Sequence, residues 1–147
     1  MGHRMVPGPF LSQPFINLVV RYVGSTGYMN VDQIRELAAS GWEVGSHGLT
    51  HTDLTTSTNV ENEIADSRRS LEKMLGLPVE TFAYPFGKKT DKMYGTVLKN
   101  YQAAVGLGAS FAQRREDVTY LWRRPVYYGV DLQTFGTYLP WSAPLEP

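Results

Sequence analysis

Two of the chain's three histidines stand four residues apart, His47 and His51 in the segment GSHGLTHTDL. A pair of neutral imidazoles suits Zn²⁺, with Co²⁺ or Ni²⁺ as alternatives. On a helix, an HxxxH spacing would set both rings on one face, but Gly45, Gly48 and the polar neighbours favour a turn after a strand. Loops at the C-terminal ends of strands are where α/β and barrel proteins assemble their active sites. The spacing alone leaves plainer roles open, as turn caps or as hydrogen-bond partners in a core. A catalytic zinc takes three protein ligands and a water. The only other imidazole is His3, in a tail, so a carboxylate is expected as third ligand. Asp53 is nearest in sequence, although it also suits a cap for the turn at Leu54-Thr55. Asp32 opens a helix, where it would stabilise exposed N–H groups.

A second segment of interest is FAYPFG, where a strand ends in a tight loop. It reads either as a simple strand terminator or as a cleft wall. In the second case Tyr84, Pro85 and Phe86 would meet substrate, and backbone N–H groups around Tyr84 would stabilise a developing oxyanion. Lys88 and Lys89 read as solvated surface. Of the pair Arg123-Arg124, either both lie on the surface, the plainer reading, or one faces the site and pairs with a carboxylate, with Arg124 the candidate for substrate contact. Trp42, Trp122, Trp141 and nine tyrosines could stack on sugar rings or fill a core.

Several chemistries are excluded. There is no cysteine, hence no disulfide, thiolate nucleophile or cysteine-bound metal. Fourteen basic and fourteen acidic residues balance, which removes the electrostatic case for nucleic acid or an anionic membrane. No apolar run approaches the ~20 residues that cross a bilayer. No signal peptide is recognisable at the start, so the expected location is cytoplasmic. Gly106-Leu107-Gly108 is not a dinucleotide fingerprint, and neither a phosphate-binding loop nor a GxSxG elbow is present. Every carboxylate side chain lies at or beyond Asp32.

These residues need elements to hold them. Phe15–Val23 is apolar, β-branched and aromatic, and reads as a strand buried on both faces. Asn30 with Gln33 makes a capping box for a helix whose inner face is Ile34, Leu37 and Ala38, stopped by Gly41. Trp42–Ser46 reads as a strand. Thr58 with Glu61 suggests another capping box, opening a helix with the stripe Ile64, Leu71, Met74 and Leu75, with Val60 and Ser67 at its margins. Gly76 and Pro78 end it. A strand follows at Glu80–Tyr84, then a helix over 91–100 with Met93, Tyr94, Val97 and Leu98 inward. Further strands are expected at Gln102–Leu107 and within Tyr120–Tyr128. Alternating strands and helices indicate an α/β fold with a mostly parallel sheet in one domain over 15–139, between irregular tails at 1–14 and 140–147.

Taken together, the segments resemble the polysaccharide deacetylases, carbohydrate esterases with a NodB-type domain. The segment YVGSTGYMNVDQIRELAASGWEVGSHGLTHTDLT is similar to that family's second motif region. The helix ENEIADSRRSLEKMLG, the FAYPFG loop, YQAAVGLG and RRPVYY follow in the family's order. The resemblance implies a distorted, incomplete (β/α)7 barrel. It implies that His47 and His51 bind a divalent metal, usually zinc, for hydrolysis of N- or O-acetyl groups on a glycan. It also marks departures. The family's paired-aspartate strand, source of the general base and third ligand, has no counterpart before Asp32, so the first strand is missing. No histidine follows His51 to supply the family's general acid, and Ala83-Tyr84-Pro85 stands where an arginine is frequent. Loss of the base alone would remove about 10²–10⁴ in rate. A glycan-binding protein without activity is therefore the second expectation. The missing strand would also leave a sheet edge open to self-association into a homo-oligomer.

Overall fold

In a computed structural model the described residues are 14–108 and 118–138. Five strands form one sheet, β1 (Phe15–Leu18), β2 (Glu43–Ser46), β3 (Thr81–Ala83), β4 (Ala103–Leu107) and β5 (Leu121–Arg123). All pairs are parallel and the spatial order equals the sequence order. Helices α1 (Val31–Ala39), α2 (Val60–Leu75) and α3 (Tyr94–Asn100) link the first four strands, and α4 (Leu132–Gly136) follows β5. Among the described residues the sheet is open, with β1 and β5 at its edges. The architecture is the α/β, incomplete-barrel type expected from the sequence. The expected tails lie outside the described residues except for Pro14, whose carbonyl accepts the Glu43 N–H at 2.9 Å.

The alternation of side chains along each strand divides the sheet into two faces. One face carries Leu18, Val44, Phe82 and Ala104 into a core completed by Ile34 of α1, by Ile64, Leu71 and Leu75 of α2, and by Val97 of α3. Removing each such aliphatic side chain from water contributes about 1.5–3 kcal/mol. The opposite face holds Phe15, Asn17, Glu43, Thr81, Val105, Leu121 and Arg123 around a cavity of ≈ 130 Å³. Gly45 belongs to this face because a side chain would not fit. A Cβ there would lie 2.6 Å from Asn17 Oδ1 and 2.7 Å from Thr81 Oγ1.

The α1 capping box is present, with Asn30 Oδ1 and Gln33 Oε1 each accepting the other residue's N–H at 2.9 Å. Five expectations are corrected. The strand from Phe15 stops at Leu18 and turns into a 3₁₀ segment over Val20–Tyr22. Nor is it buried on both faces, since Phe15 is exposed on an edge strand. Thr58 does not cap α2, which starts one residue later behind Asn59 without a side-chain cap. The 91–100 helix divides into a 3₁₀ turn over Asp91–Met93 and α3, and only Met93 and Val97 point inward. Tyr94 and Leu98 are half exposed, because so short a helix covers the sheet with one narrow stripe. Ser67, placed at the margin of α2's stripe by its polarity, is instead fully buried. Its Oγ accepts from Ser46 Oγ at 2.8 Å and lies 3.1 Å from Tyr101 Oη.

Candidate active site

Parallel strands deliver the ends of β1, β2 and β3 to one rim of the sheet, and the segments singled out by the sequence follow them there. His47 directly follows β2, and its N–H donates to Leu18 O at 2.8 Å, extending the ladder. Its Nδ1 lies 2.7 Å from Ala83 O, at the end of β3. A carbonyl can only accept, so Nδ1 carries the proton and Nε2 is left as a bare lone pair. Burial lowers the His47 pKa, partly countered by that hydrogen bond, and electrostatic interaction with His51 and Arg123 lowers it further. The ring is thus held neutral, as a metal ligand must be.

Between the histidines the chain reverses through Gly48 at φ +89° and reaches His51 at φ +62°. The two imidazole centroids are 4.8 Å apart. Two imidazoles sharing one ion at metal–nitrogen lengths of about 2.0–2.1 Å have ring centres ~5 Å apart. The ring spacing matches that of two imidazoles on one ion. His51 also packs on Phe86, with centroids 4.8 Å apart. Phe86 at φ +58° is the other non-glycine residue with positive φ among those described. Both strained residues thus meet at this rim, and strain of this kind concentrates at functional sites.

The FAYPFG loop is arranged differently from expectation. Tyr84 lies in the core, with Oη donating to Thr119 O at 2.9 Å and N–H donating to Val105 O at 3.0 Å. Neither its side chain nor its N–H faces a cleft, because the sheet ladder runs one residue past β3. Pro85 is buried, whereas Phe86 is 54% exposed. Among the described residues the Phe86 N–H donates to no backbone carbonyl outside its own turn, while those of Gly87 and Lys88 close onto Tyr84 O and Pro85 O.

The carboxylates do not join the histidines. Asp53 Oδ1 accepts the Thr55 N–H and hydroxyl at 3.0 and 2.6 Å, and Oδ2 lies 2.6 Å from Lys88 Nζ. The Lys88 ammonium, helped by Thr55, holds the Asp53 carboxyl down at about 2. Lys88 is accordingly a clasp between the two loops of the rim rather than unattached surface. Asp32 sits on α1, 3.6 Å from Arg35. No group of three histidine, cysteine, aspartate or glutamate side chains converges among the described residues. The fit to a metal is thus that of a two-histidine half-site.

The Arg124 guanidinium lies 4.3 Å from the Tyr138 ring centre. Arg123 is the one that points inward, half buried and 5.9 Å from the Phe15 ring centre. Its Nε and Asn17 Oδ1 are buried without a hydrogen-bond partner among the described residues. Trp42 and Trp122 are partly exposed, and Trp141 lies outside the described residues. Sequence reasoning passed over Glu63. The available signal was a carboxylate one turn before Ser67 and two before Leu71, on the inward stripe of α2.

The sequence profile described as polysaccharide deacetylase matches residues 10–106. The chain belongs to the polysaccharide deacetylase family. Family members of known structure share its fold. A crystal structure of a polysaccharide deacetylase from Bacillus cereus superposes at a TM-score of 0.75 with 29% identity, covering 86% of this chain and 42% of that one. A Streptococcus pyogenes deacetylase solved with acetate reaches a TM-score of 0.78 at 22% identity, covering 87% of this chain and 59% of that one. The Bacillus subtilis (strain 168) protein named "Putative polysaccharide deacetylase YxkH" is 25% identical over 127 residues, 84% of this chain and 46% of that protein. The chain spans less than half the length of the B. subtilis relative. Among the described residues no helix is long and apolar enough to cross a membrane.

Proposed function

We propose that this chain carries the metal-binding rim of a hydrolase that removes N- or O-acetyl groups from a glycan, with His47 and His51 as ligands of a divalent ion. Zinc is the expected ion, and cobalt or nickel would suit the same donors. The observation that carries the reading is the His47 Nδ1 contact with Ala83 O, which fixes the tautomer and leaves Nε2 as a ligand beside His51. When bound, such an ion supplies a Lewis acid for the acetyl carbonyl and lowers the pKa of a water. The chain's own residues do the rest. The exposed Phe86 ring forms an apolar wall next to His51, and a backbone N–H of its loop would receive a developing oxyanion.

The same site favours a second reading. With Asp53 held by Lys88 and no third ligand converging among the described residues, the general base and third ligand must come from elsewhere. Without them the chain would bind glycan but turn over little of it. Self-association through the open β1 edge, Phe15–Leu18, would then be its means of assembly.

Metal analysis of the purified protein beside His47→Ala tests the proposal. Stoichiometric zinc lost in the variant supports it; a metal-free wild-type protein after zinc loading and dialysis overturns it. Acetate release from an acetylated glycan separates the enzyme from the binding reading.

A further inference from the structure

The loop that bears both histidines is held by a single buried carboxylate. Glu63 lies in the first turn of α2 and is 6% exposed, an unusual place for an acid. Its Oε2 accepts the N–H groups of Leu49 and Thr50 at 2.8 and 3.1 Å, and its Oε1 accepts the Thr50 hydroxyl at 2.5 Å. Three hydrogen bonds and the positive end of α2 compensate the buried charge. The loop's carbonyls are used as well, since Val20 and Arg21 donate to Gly48 O and Leu49 O at 3.1 and 2.9 Å. At Gly48 the fit is close enough that an added Cβ would lie 3.0 Å from Glu63 Oε2.

These contacts end one residue before His51, whose φ of +62° is a conformation that an L-residue enters only when its surroundings impose it. We infer that Glu63 is a positioning residue: by fixing the N–H and the hydroxyl of Thr50 it holds His51 in the left-handed conformation that sets its ring against His47 and Phe86. Glu63 itself touches neither ring. The inference rests on the metal-ligand reading of His47 and His51, but its structural half stands without a metal.

The test uses the whole chain and three variants. In the metal-free protein, side-chain proton–carbon NMR follows His51, whose ring shifts report the Phe86 ring beside it. Zinc affinity is then measured by calorimetry. Glu63→Ala should move the His51 ring signals toward values for an exposed histidine and weaken zinc about tenfold or more. Glu63→Gln, which keeps one acceptor for the two N–H groups and can donate to Thr50 Oγ1, should restore both readouts largely. Arg68→Ala, further along α2, removes the contacts to Glu72 and to Asn100 O and should lower stability without moving the His51 signals, which separates positioning from a general effect on the helix. Unchanged His51 signals and unchanged affinity in a folded Glu63→Ala protein would overturn the inference. If that variant does not fold, Thr50→Val, which removes the hydroxyl contact alone, must shift the same signals or the inference fails. If wild-type protein binds no zinc, the metal reading fails and the His51 signals still decide the role of Glu63.

Discussion

Substituting Gly45 by alanine puts a measurable load on the strand that delivers His47. The new methyl would stand 2.6 Å from Asn17 Oδ1, 2.7 Å from Thr81 Oγ1 and 3.2 Å from Thr81 O. Asn17 can rotate its amide away at little expense, since Oδ1 has no partner to lose among the described residues. Thr81 cannot do so freely. Its hydroxyl donates to Glu43 Oε1 at 2.6 Å, and its backbone is paired with Ala103 in the sheet. Turning the hydroxyl aside forfeits that hydrogen bond, about 1 kcal/mol, and an off-rotamer side chain adds roughly 0.5–1.5 kcal/mol. The sum, about 2 kcal/mol, lies inside the ~1–3 kcal/mol typical of overpacking. For a chain of this length it corresponds to a fall of roughly 5–10 °C in Tm. Gly95→Ala is the matched control. Gly95 lies in α3 with nothing within 4 Å of an added Cβ, and there alanine should stabilise by about 0.5–1 kcal/mol. Urea denaturation followed by circular dichroism gives both values. A Gly45→Ala protein as stable as wild type would refute the account of a filled inner face at β2.

Other consequences are as direct. Because burial holds the His47 pKa below 6.5, the unfolded chain takes up the proton more readily than the folded one. Stability should therefore be full above that unfolded value and fall as pH drops through it toward the lower folded value. Urea midpoints between about pH 7.5 and 5 should show this slope, and His47→Gln should flatten it. Asn30→Ala removes one half of the α1 capping box and should cost about 1 kcal/mol, read from the urea midpoint, while leaving zinc binding unchanged. Ser67→Ala strips Ser46 Oγ of its acceptor in a fully buried position and should cost about 1–3 kcal/mol by the same assay.

Much of this was legible in the residues. Hydrophobic period and glycine punctuation located the five described strands and the three linking helices, and the GSHGLTH segment carries both histidines that follow β2. What stayed hidden was contact between distant segments. Nothing local to Tyr84 reveals that Val105 takes its N–H, which withdraws that donor from the loop. Asp53 reads equally as a ligand or as a turn cap; it caps Thr55, and Lys88, 2.6 Å away after the turn that follows β3, is a partner no local pattern announces. Arg123 and Arg124 are indistinguishable as letters, and only the alternation of β5 turns one inward. The capping box of α1 was readable because both partners lie within one turn. The supposed box at Thr58 failed because Asn59 displaces the start of α2 by one residue.

The coincidence of strand order with chain order has a consequence for synthesis. No later strand inserts between two earlier ones, so each strand–helix unit can dock onto the last as it leaves the ribosome at about 5–20 residues per second. His47, His51, Glu63 and Phe86 are all present once β3 and its following turn have emerged. Phe82 and Ala83 meet their β4 partners, Ala104 and Val105, only when the next unit emerges. A nascent chain thus carries its imidazole pair, and the Ala83 carbonyl that contacts His47, one unit before the strand that flanks β3 on its other side.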